Sequence, residues 1–355
     1  MFTRKKIASP VSHFKLKLIL LGFLVVIIFF SYIYLAFLKD NWYGKDNQVS
    51  GDYKKEYIYF DKLDGQGVET KENETPQVVA VMIDNHTDAR PQSGLSQAKI
   101  IYEVPVEGNI TRLMAIFDAN QVVENLGPVR SARPYFLDWA SEYGESLYLH
   151  CGGSPEALTE LKTNKLFDIN EFYWGSYFWR AQNKIAPHNV YTSSTNWQEI
   201  INSKNYQNKE EWLGWKFAEN LATTSTEKIK QINVAYSNYY EVSWRFNEFT
   251  NRFDYYQNGK IFTGEDDNNL SVENVLVQYV QTEIIDSYGR LDIKTVGGGE
   301  ARVLRAGEII HANWEKKDRN SRTRFFDNNG QEINLIPGRT WVQVVPTIIT
   351  AEVVN

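Results

Sequence analysis

From Leu18 to Leu38 the chain reads LILLGFLVVIIFFSYIYLAFL, 21 residues without a single charge. No other stretch constrains the fold as strongly. At about 1.5 Å of rise per helical residue, ~20 residues are needed to cross a hydrocarbon core of roughly 30 Å. Arg4, Lys5, Lys6, Lys15 and Lys17 precede the run, and Lys39 followed by Asp40 closes it. Positive charge on the N-terminal side predicts a cytoplasmic N-terminus and an extracytoplasmic remainder. A cleaved signal peptide is the competing reading. Its apolar region runs only ~7–15 residues and ends at small residues, whereas Tyr32, Tyr34 and Phe37 sit at the end here. The expectation is a cytoplasmic tail (1–17), one retained transmembrane helix (18–38) in the cell membrane and a polar linker (39–76), followed by two extracytoplasmic domains (77–225 and 229–355).

The linker is assigned from composition. DKLDGQGVETKENET and its surroundings cannot bury a core, although Tyr57–Phe60 is apolar enough to pack as an extra strand. Net charge is −6, which argues against non-specific nucleic-acid binding, since that needs a basic surface. Cys151 is the only cysteine. An exported chain that can form no internal disulfide fits a bacterial envelope better than a eukaryotic secretory route.

For 77–225 the pattern predicts an α/β or α+β domain. QVVAVMI (77–83) is a continuous apolar run rich in β-branched residues, as expected for a strand buried on both faces. KIIYEV (99–104), TRLMAIF (111–117) and SLYLH (146–150) are further strands. Pro134 suits a first helical position, with Phe136, Trp139, Ala140 and Tyr143 at helical spacing and Gly144 as terminator. Ser154-Pro155 opens a second helix as cap and first residue. Residues 229–355 read as a mainly antiparallel β domain. Ile232/Val234/Tyr236, Val242/Trp244/Phe246 and Val275/Val277/Tyr279 alternate, and Asn258-Gly259 and Asn329-Gly330 signal hairpins. Gly297-Gly298-Gly299 and Pro337-Gly338 are expected to be further turns.

The chemistry-bearing residues of the first domain gather where strands end and helices begin: Asp84, Asn85 and His86, with Arg90 in the following loop; Glu103, Glu107 and Arg112; Arg130, Ser131 and Arg133; His150, Gly152, Gly153 and Ser154; and His188 with Asn189 in a Pro-marked loop. Ligands of open α/β sheets bind beyond the carboxyl ends of strands, and helix N-termini favour anions. Arg112, Arg130 and Arg133 would suit a phosphate, pyrophosphate or carboxylate, with Asp84, Glu103 and Glu107 orienting them or holding a divalent cation. Structural ion pairs account equally well for the arginine cluster. Histidines 86, 150 and 188 would have to converge to ligate a metal, and none shares H-x-x-x-H spacing, so no metal site is assigned. Cys151 beside His150 invites a nucleophile reading, but a lone cysteine at a strand end is more often a small buried hydrophobe. No nucleophile elbow, phosphate-binding loop or dinucleotide fingerprint is present. The Trp and Tyr residues fill a core or, if exposed, grip sugars or peptides.

Several ordered segments carry a family resemblance: VAVMIDNHTDARPQSGLSQAKIIYEVPVEGNITRLMAIF, LGPVRSARPYFLDWASEYG, HCGGSPEAL, APHNVYTS and, in the tail, VGGGEARV, GEIIHANWEKK and FFDNNGQEINLIPGRTWVQVVP. Together, over roughly residues 75–347, the chain resembles the YerB-like family of bacterial envelope proteins, whose members are labelled lipoproteins or domains of unknown function. The resemblance implies two domains and an envelope location, and little about activity. The chain departs from the lipoprotein pattern, having the apolar span where a lipid-bearing cysteine would be. Its layout is also similar, in architecture alone, to the LytR-CpsA-Psr wall-polymer ligases, which use arginines and acids to hold a prenyl pyrophosphate and magnesium. Two readings follow. One is a binding module for an anionic wall component or an envelope partner protein. The alternative is a transferase or hydrolase acting on a phosphate-bearing envelope substrate, which would call for Mg²⁺.

Overall fold

The computed structural model describes residues 29–31, 34, 57–218, 228–266 and 268–354. Most of the 18–38 span, the tail before it and residues 39–56 lie outside the described residues; Phe29–Ser31 and Tyr34 are helical. Among the described residues no helix is long and apolar enough to cross a membrane. Residues 57–355 form one compact unit.

That unit is built mostly of strands. In chain order they are β1 (Val78–Ile83), β2 (Ile100–Val106), β3 (Ile110–Asp118), β4 (Leu147–His150), β5 (Phe167–Asn170), β6 (Gln231–Ser237), β7 (Tyr240–Asn247), β8 (Arg252–Gln257), β9 (Asn274–Val280), β10 (Gly297–Arg305), β11 (Glu308–Lys316), β12 (Arg324–Asp327), β13 (Thr340–Pro346) and β14 (Glu352–Val354). The α-helices are few and short: α1 (Pro134–Ala140), α2 (Pro155–Leu161) and α3 (Ser194–Lys204). Both predicted helix starts hold. Pro134 and Pro155 take first-turn positions, and Ser154 Oγ accepts from Ala157 N.

Ten strands make one sheet in the order β12-β11-β10-β9-β13-β2-β3-β1-β4-β5. The two sequence stretches therefore share a sheet instead of each closing its own. The seam is the parallel pairing of β13 with β2, Thr340 opposite Ile100 through Gln343 opposite Glu103. β1, β2, β9 and β13 are buried along their whole length, as continuous apolar runs require. A second sheet, β8-β7-β6-β14 with a short edge strand at Lys260–Ile261, is antiparallel.

Side-chain alternation divides the core. Ile101, Phe117, Val277 and Trp341 face the second sheet and α3, meeting Trp244, Tyr255 and Trp197. Tyr102, Met114, Val303 and Val342 face α1 and α2, meeting Phe136, Trp139 and Ala157. At about 25 cal/mol per Å² of apolar surface removed from water, these two layers supply the main stabilisation. Glu142, in the 3-10 turn that follows α1, joins the first stretch to the second: it is buried with Lys316 Nζ at 2.8 Å and Arg322 Nη1 at 2.9 Å.

Two expectations differ from the structure. Residues 57–76, assigned to the polar linker on composition, belong to the compact unit. Tyr59–Phe60 pairs with Gly67–Val68, Leu63 is buried, and Asp61 and Asp64 bracket Lys99 Nζ at 2.8 and 2.6 Å. Paired charges cover this segment where a long apolar run would have been the visible signal. Gly297–Gly299, expected as a turn, is strand. Gly299 is glycine because a β-carbon there would lie 2.7 Å from Trp314 Nε1.

Candidate functional site

β1 lies antiparallel to β3, and β1, β4 and β5 are parallel to one another. The residues following β1 and β4 thus emerge at one edge, beside the start of β3. The segment between Pro128 and Ala132 is laid across that edge by backbone bonds: Asp84 N donates to Pro128 O (2.8 Å), Arg130 N to Met82 O (2.8 Å) and Cys151 N to Arg130 O (3.1 Å). This stitching sorts the predicted residues into four neighbouring arrangements.

In the first, Asp84 is buried and its Oδ2 serves two side chains, with Arg130 Nε at 3.0 Å and His188 Nδ1 at 2.7 Å. His86 stacks on His188 with ring centroids 4.7 Å apart and planes 15° from parallel. His86 N donates to Asp84 Oδ1 (3.0 Å), and its Nδ1 accepts from Asp88 N (3.2 Å).

In the second, Arg133 grips Glu107 through two bonds of 2.6 and 3.0 Å. Burial pushes the Glu107 carboxyl up, but its bonds to Arg133 prevail and hold it below the usual range. Arg112 is 7% exposed and donates from Nη1 to Ser131 O at 2.7 Å. Among the described residues no carboxylate pairs with it. Burial, reinforced by nearby Arg133, lowers its pKa to about 10.

The third lies between the sheets. Fully buried Glu103 accepts from Tyr240 Oη (2.6 Å), Thr111 Oγ1 (2.7 Å) and Tyr255 Oη (2.9 Å). Asn85 Nδ2 donates to Thr111 Oγ1 and Tyr240 Oη, both at 2.7 Å, and Gln92 and Gln257 donate to its Oδ1, each at 3.0 Å. Arg90 caps this network, donating to Asn85 O (2.8 Å) over the Tyr240 ring. Burial raises the Glu103 pKa.

The fourth is around the end of β4. His150 is enclosed, with Nε2 2.7 Å from Asp168 Oδ1 and Nδ1 2.7 Å from Gly152 O. Gly152 turns with φ +64°, Gly153 bridges to Ala132, and Ser154 caps α2. Ser131 Oγ donates to Cys151 O (2.9 Å). Burial and the adjacent Glu171 push the Cys151 thiol up to about 11, the reverse of what a nucleophile needs. Asn189 accepts from Arg180 Nη1 (3.0 Å) and pins the loop through Ala181 O and Lys184 O.

Asp84, Glu103 and Glu107 thus each have their own partners instead of sharing a cation. His86 and His188 meet, while His150 belongs to a separate pair. Among the described residues, the group of His, Cys, Asp or Glu ligand atoms close enough to hold a metal is His86, Asp88 and His188, all within 4.8 Å. Asp88, Asp168, Lys184 and the Tyr240/Tyr255/Gln257 set went unread in the sequence. Gln257 carried a signal, because it is a polar residue on the inward face of β8, in phase with Phe253 and Tyr255.

Comparison with known proteins places the chain. A family described as "Protein of unknown function (DUF3048) N-terminal domain" matches residues 63–207, and its C-terminal domain counterpart matches residues 232–342. A Bacillus subtilis (strain 168) protein named "Putative lipoprotein YerB" is 33% identical over 301 residues, covering 81% of this chain and 87% of that protein. The crystal structure of the YerB protein from Bacillus subtilis aligns with a TM-score of 0.73 at 32% identity, covering 82% of this chain and 99% of that one.

Proposed function

The chain belongs to the DUF3048 family together with YerB, and from that premise we propose that it is a membrane-held envelope protein whose compact unit binds an anionic wall component. The name of the relative supports the envelope location. The uncharged 18–38 run supports attachment by a transmembrane helix, with the N-terminus cytoplasmic.

Arg112 is the observation that carries the binding reading. Its nearly buried guanidinium donates to one backbone carbonyl and makes no ion pair with a described carboxylate; Asp84 and Glu107 act on it through space but are paired with Arg130 and Arg133, so three arginines face two carboxylates and a local excess of positive charge remains. Arg130 lies on the same edge, with its side chain 24% exposed. An incoming phosphate or carboxylate would supply the missing counter-charge through charge-assisted bonds. Arg133 is already satisfied by Glu107 and serves the fold. A transferase or hydrolase finds no support from Cys151, whose thiol is held protonated.

The test is a thermal-shift screen of the full chain in detergent micelles with phosphate, pyrophosphate, lipid-linked wall precursors and muropeptides. Ligand at a hundred times its Kd stabilises by about 2.7 kcal/mol. The expected result is a shift with an anion that Arg112→Gln and Arg130→Ala abolish. Absence of a shift with every anion, from a folded chain, refutes the reading and turns the search to partner proteins.

A further inference from the structure

We propose that His86, Asp88 and His188 form a binding site for a divalent transition metal with the preferences of zinc. The proposal does not rest on the anion reading above. His188 supplies the fixed point. Its Nδ1–H donates to Asp84 Oδ2 at 2.7 Å, which sets the tautomer and leaves Nε2 with its lone pair free. Asp84 is in turn held by Arg130 Nε at 3.0 Å. A histidine whose second nitrogen is bound to a carboxylate is the recurrent supporting arrangement of protein metal ligands.

His86 and Asp88 are the adjustable arms. The His86 ring lies parallel to His188 at 4.7 Å, and His86 Nδ1 is 3.6 Å from Asp88 Oδ2. One ligand atom from each of the three residues lies within 4.8 Å of the others. Bonds of roughly 2.1 Å in a tetrahedral site place ligand atoms about 3.4 Å apart, so a modest closing movement is required. The side chains of His86 and Asp88 are 40% and 71% exposed, which leaves them free to make it. The cost is the 3.2 Å bond from Asp88 N to His86 Nδ1. Two imidazoles and one carboxylate suit zinc and its neighbours over calcium or magnesium, which prefer oxygen alone. Asp88 and His188 also line a cleft of about 900 Å³ with Arg90, Lys184 and Glu265. A metal held by three protein ligands would present its open position there, in reach of a small anion or water.

The experiment uses the full chain in detergent, stripped with a chelator and titrated with Zn²⁺ and Co²⁺ by calorimetry and visible absorption. One ion per chain is expected, with Co²⁺ absorbing in the visible as nitrogen and oxygen ligands require. His86→Ala and His188→Ala should each weaken binding at least tenfold. Asp84→Asn, at a positioning residue, should weaken it about 10–100-fold with the stoichiometry kept. His311→Ala, at an exposed histidine on β11, should change nothing. If His188→Ala does not fold, the half-exposed His86 decides the matter alone. Failure of the unmodified chain to bind either ion, or binding that survives the His86 and His188 substitutions, overturns the proposal.

Discussion

Replacing Glu103 tests the idea that a buried polar network, and not apolar packing alone, locks the second sheet onto the first. Its carboxylate accepts three hydroxyl bonds, from Tyr240 and Tyr255 on the second sheet and Thr111 on β3. A hydrogen bond to a charged group contributes about 1.5–3 kcal/mol net, so three set an upper bound of roughly 9 kcal/mol. Two effects reduce it. Burial already disfavours the ionised carboxylate, and the stranded hydroxyls can turn to one another, Tyr240 Oη lying 3.3 Å from Tyr255 Oη and 3.1 Å from Thr111 Oγ1. Glu103→Ala should therefore destabilise by about 3 kcal/mol. Glu103→Gln, which keeps the shape and one acceptor, should cost about 1 kcal/mol.

The pH dependence has a definite sign. The folded pKa of Glu103 is raised above its ordinary 4.5, so the folded chain binds this proton more tightly than the unfolded one. Its stabilising contribution is full below pH 4.5 and is lost as pH rises through the raised folded value. The glutamine variant cannot titrate there, and the gap between it and the unmodified chain should shrink as pH rises. Denaturant unfolding followed by tryptophan fluorescence at pH 4, 6 and 8 measures both quantities. An alanine variant within 1 kcal/mol of the unmodified chain, or a gap that widens with pH, would refute the reasoning.

Glu142→Ala should destabilise by about 3–5 kcal/mol, because it strands buried Lys316 and Arg322 together; denaturant melts should show Lys316→Met costing clearly less, since Arg322 keeps its carboxylate. Trp341→Ala should cost about 3–5 kcal/mol in the same assay, as its fully buried indole packs on Trp244 and Tyr255 with centroids at 5.1 and 4.6 Å. Cys151, with a thiol at about 11, should be roughly 0.1% thiolate at pH 8 against about a quarter for an ordinary thiol. Reaction with a disulfide reagent should then be at least a hundredfold slow when folded, normal in denaturant, and faster in Glu171→Gln.

What the sequence revealed and what it hid divide along one physical line. Elements whose cause is local were legible: β1 from an unbroken apolar run, α1 and α2 from Pro134, Ser154 and Pro155, and the turn at Asn258-Gly259 from its dipeptide. Arrangements whose cause is a partner far along the chain were not. β13 looks like any buried strand, and only its parallel pairing with β2 makes the two stretches one sheet. The same holds for the site. Placement at strand ends and helix starts drew attention to Asp84, Arg112 and Arg130, and a Pro-marked loop to His188, but spacing could not say that Arg133 would be satisfied by Glu107 while Arg112 would make no ion pair with a carboxylate among the described residues. Nor could it show that His86 and His188, on separate loops, would stack. Their meeting is enforced by Asp84, which binds one ring nitrogen of His188 and the backbone N–H of His86. A substitution that keeps the fold but removes that tie, Asp84→Asn, therefore acts on both proposed sites at once. It frees Arg130 from its carboxylate and loosens His188. Anion affinity should rise or hold while metal affinity falls, and a parallel loss of both would mean that Asp84 supports the loop and nothing more specific.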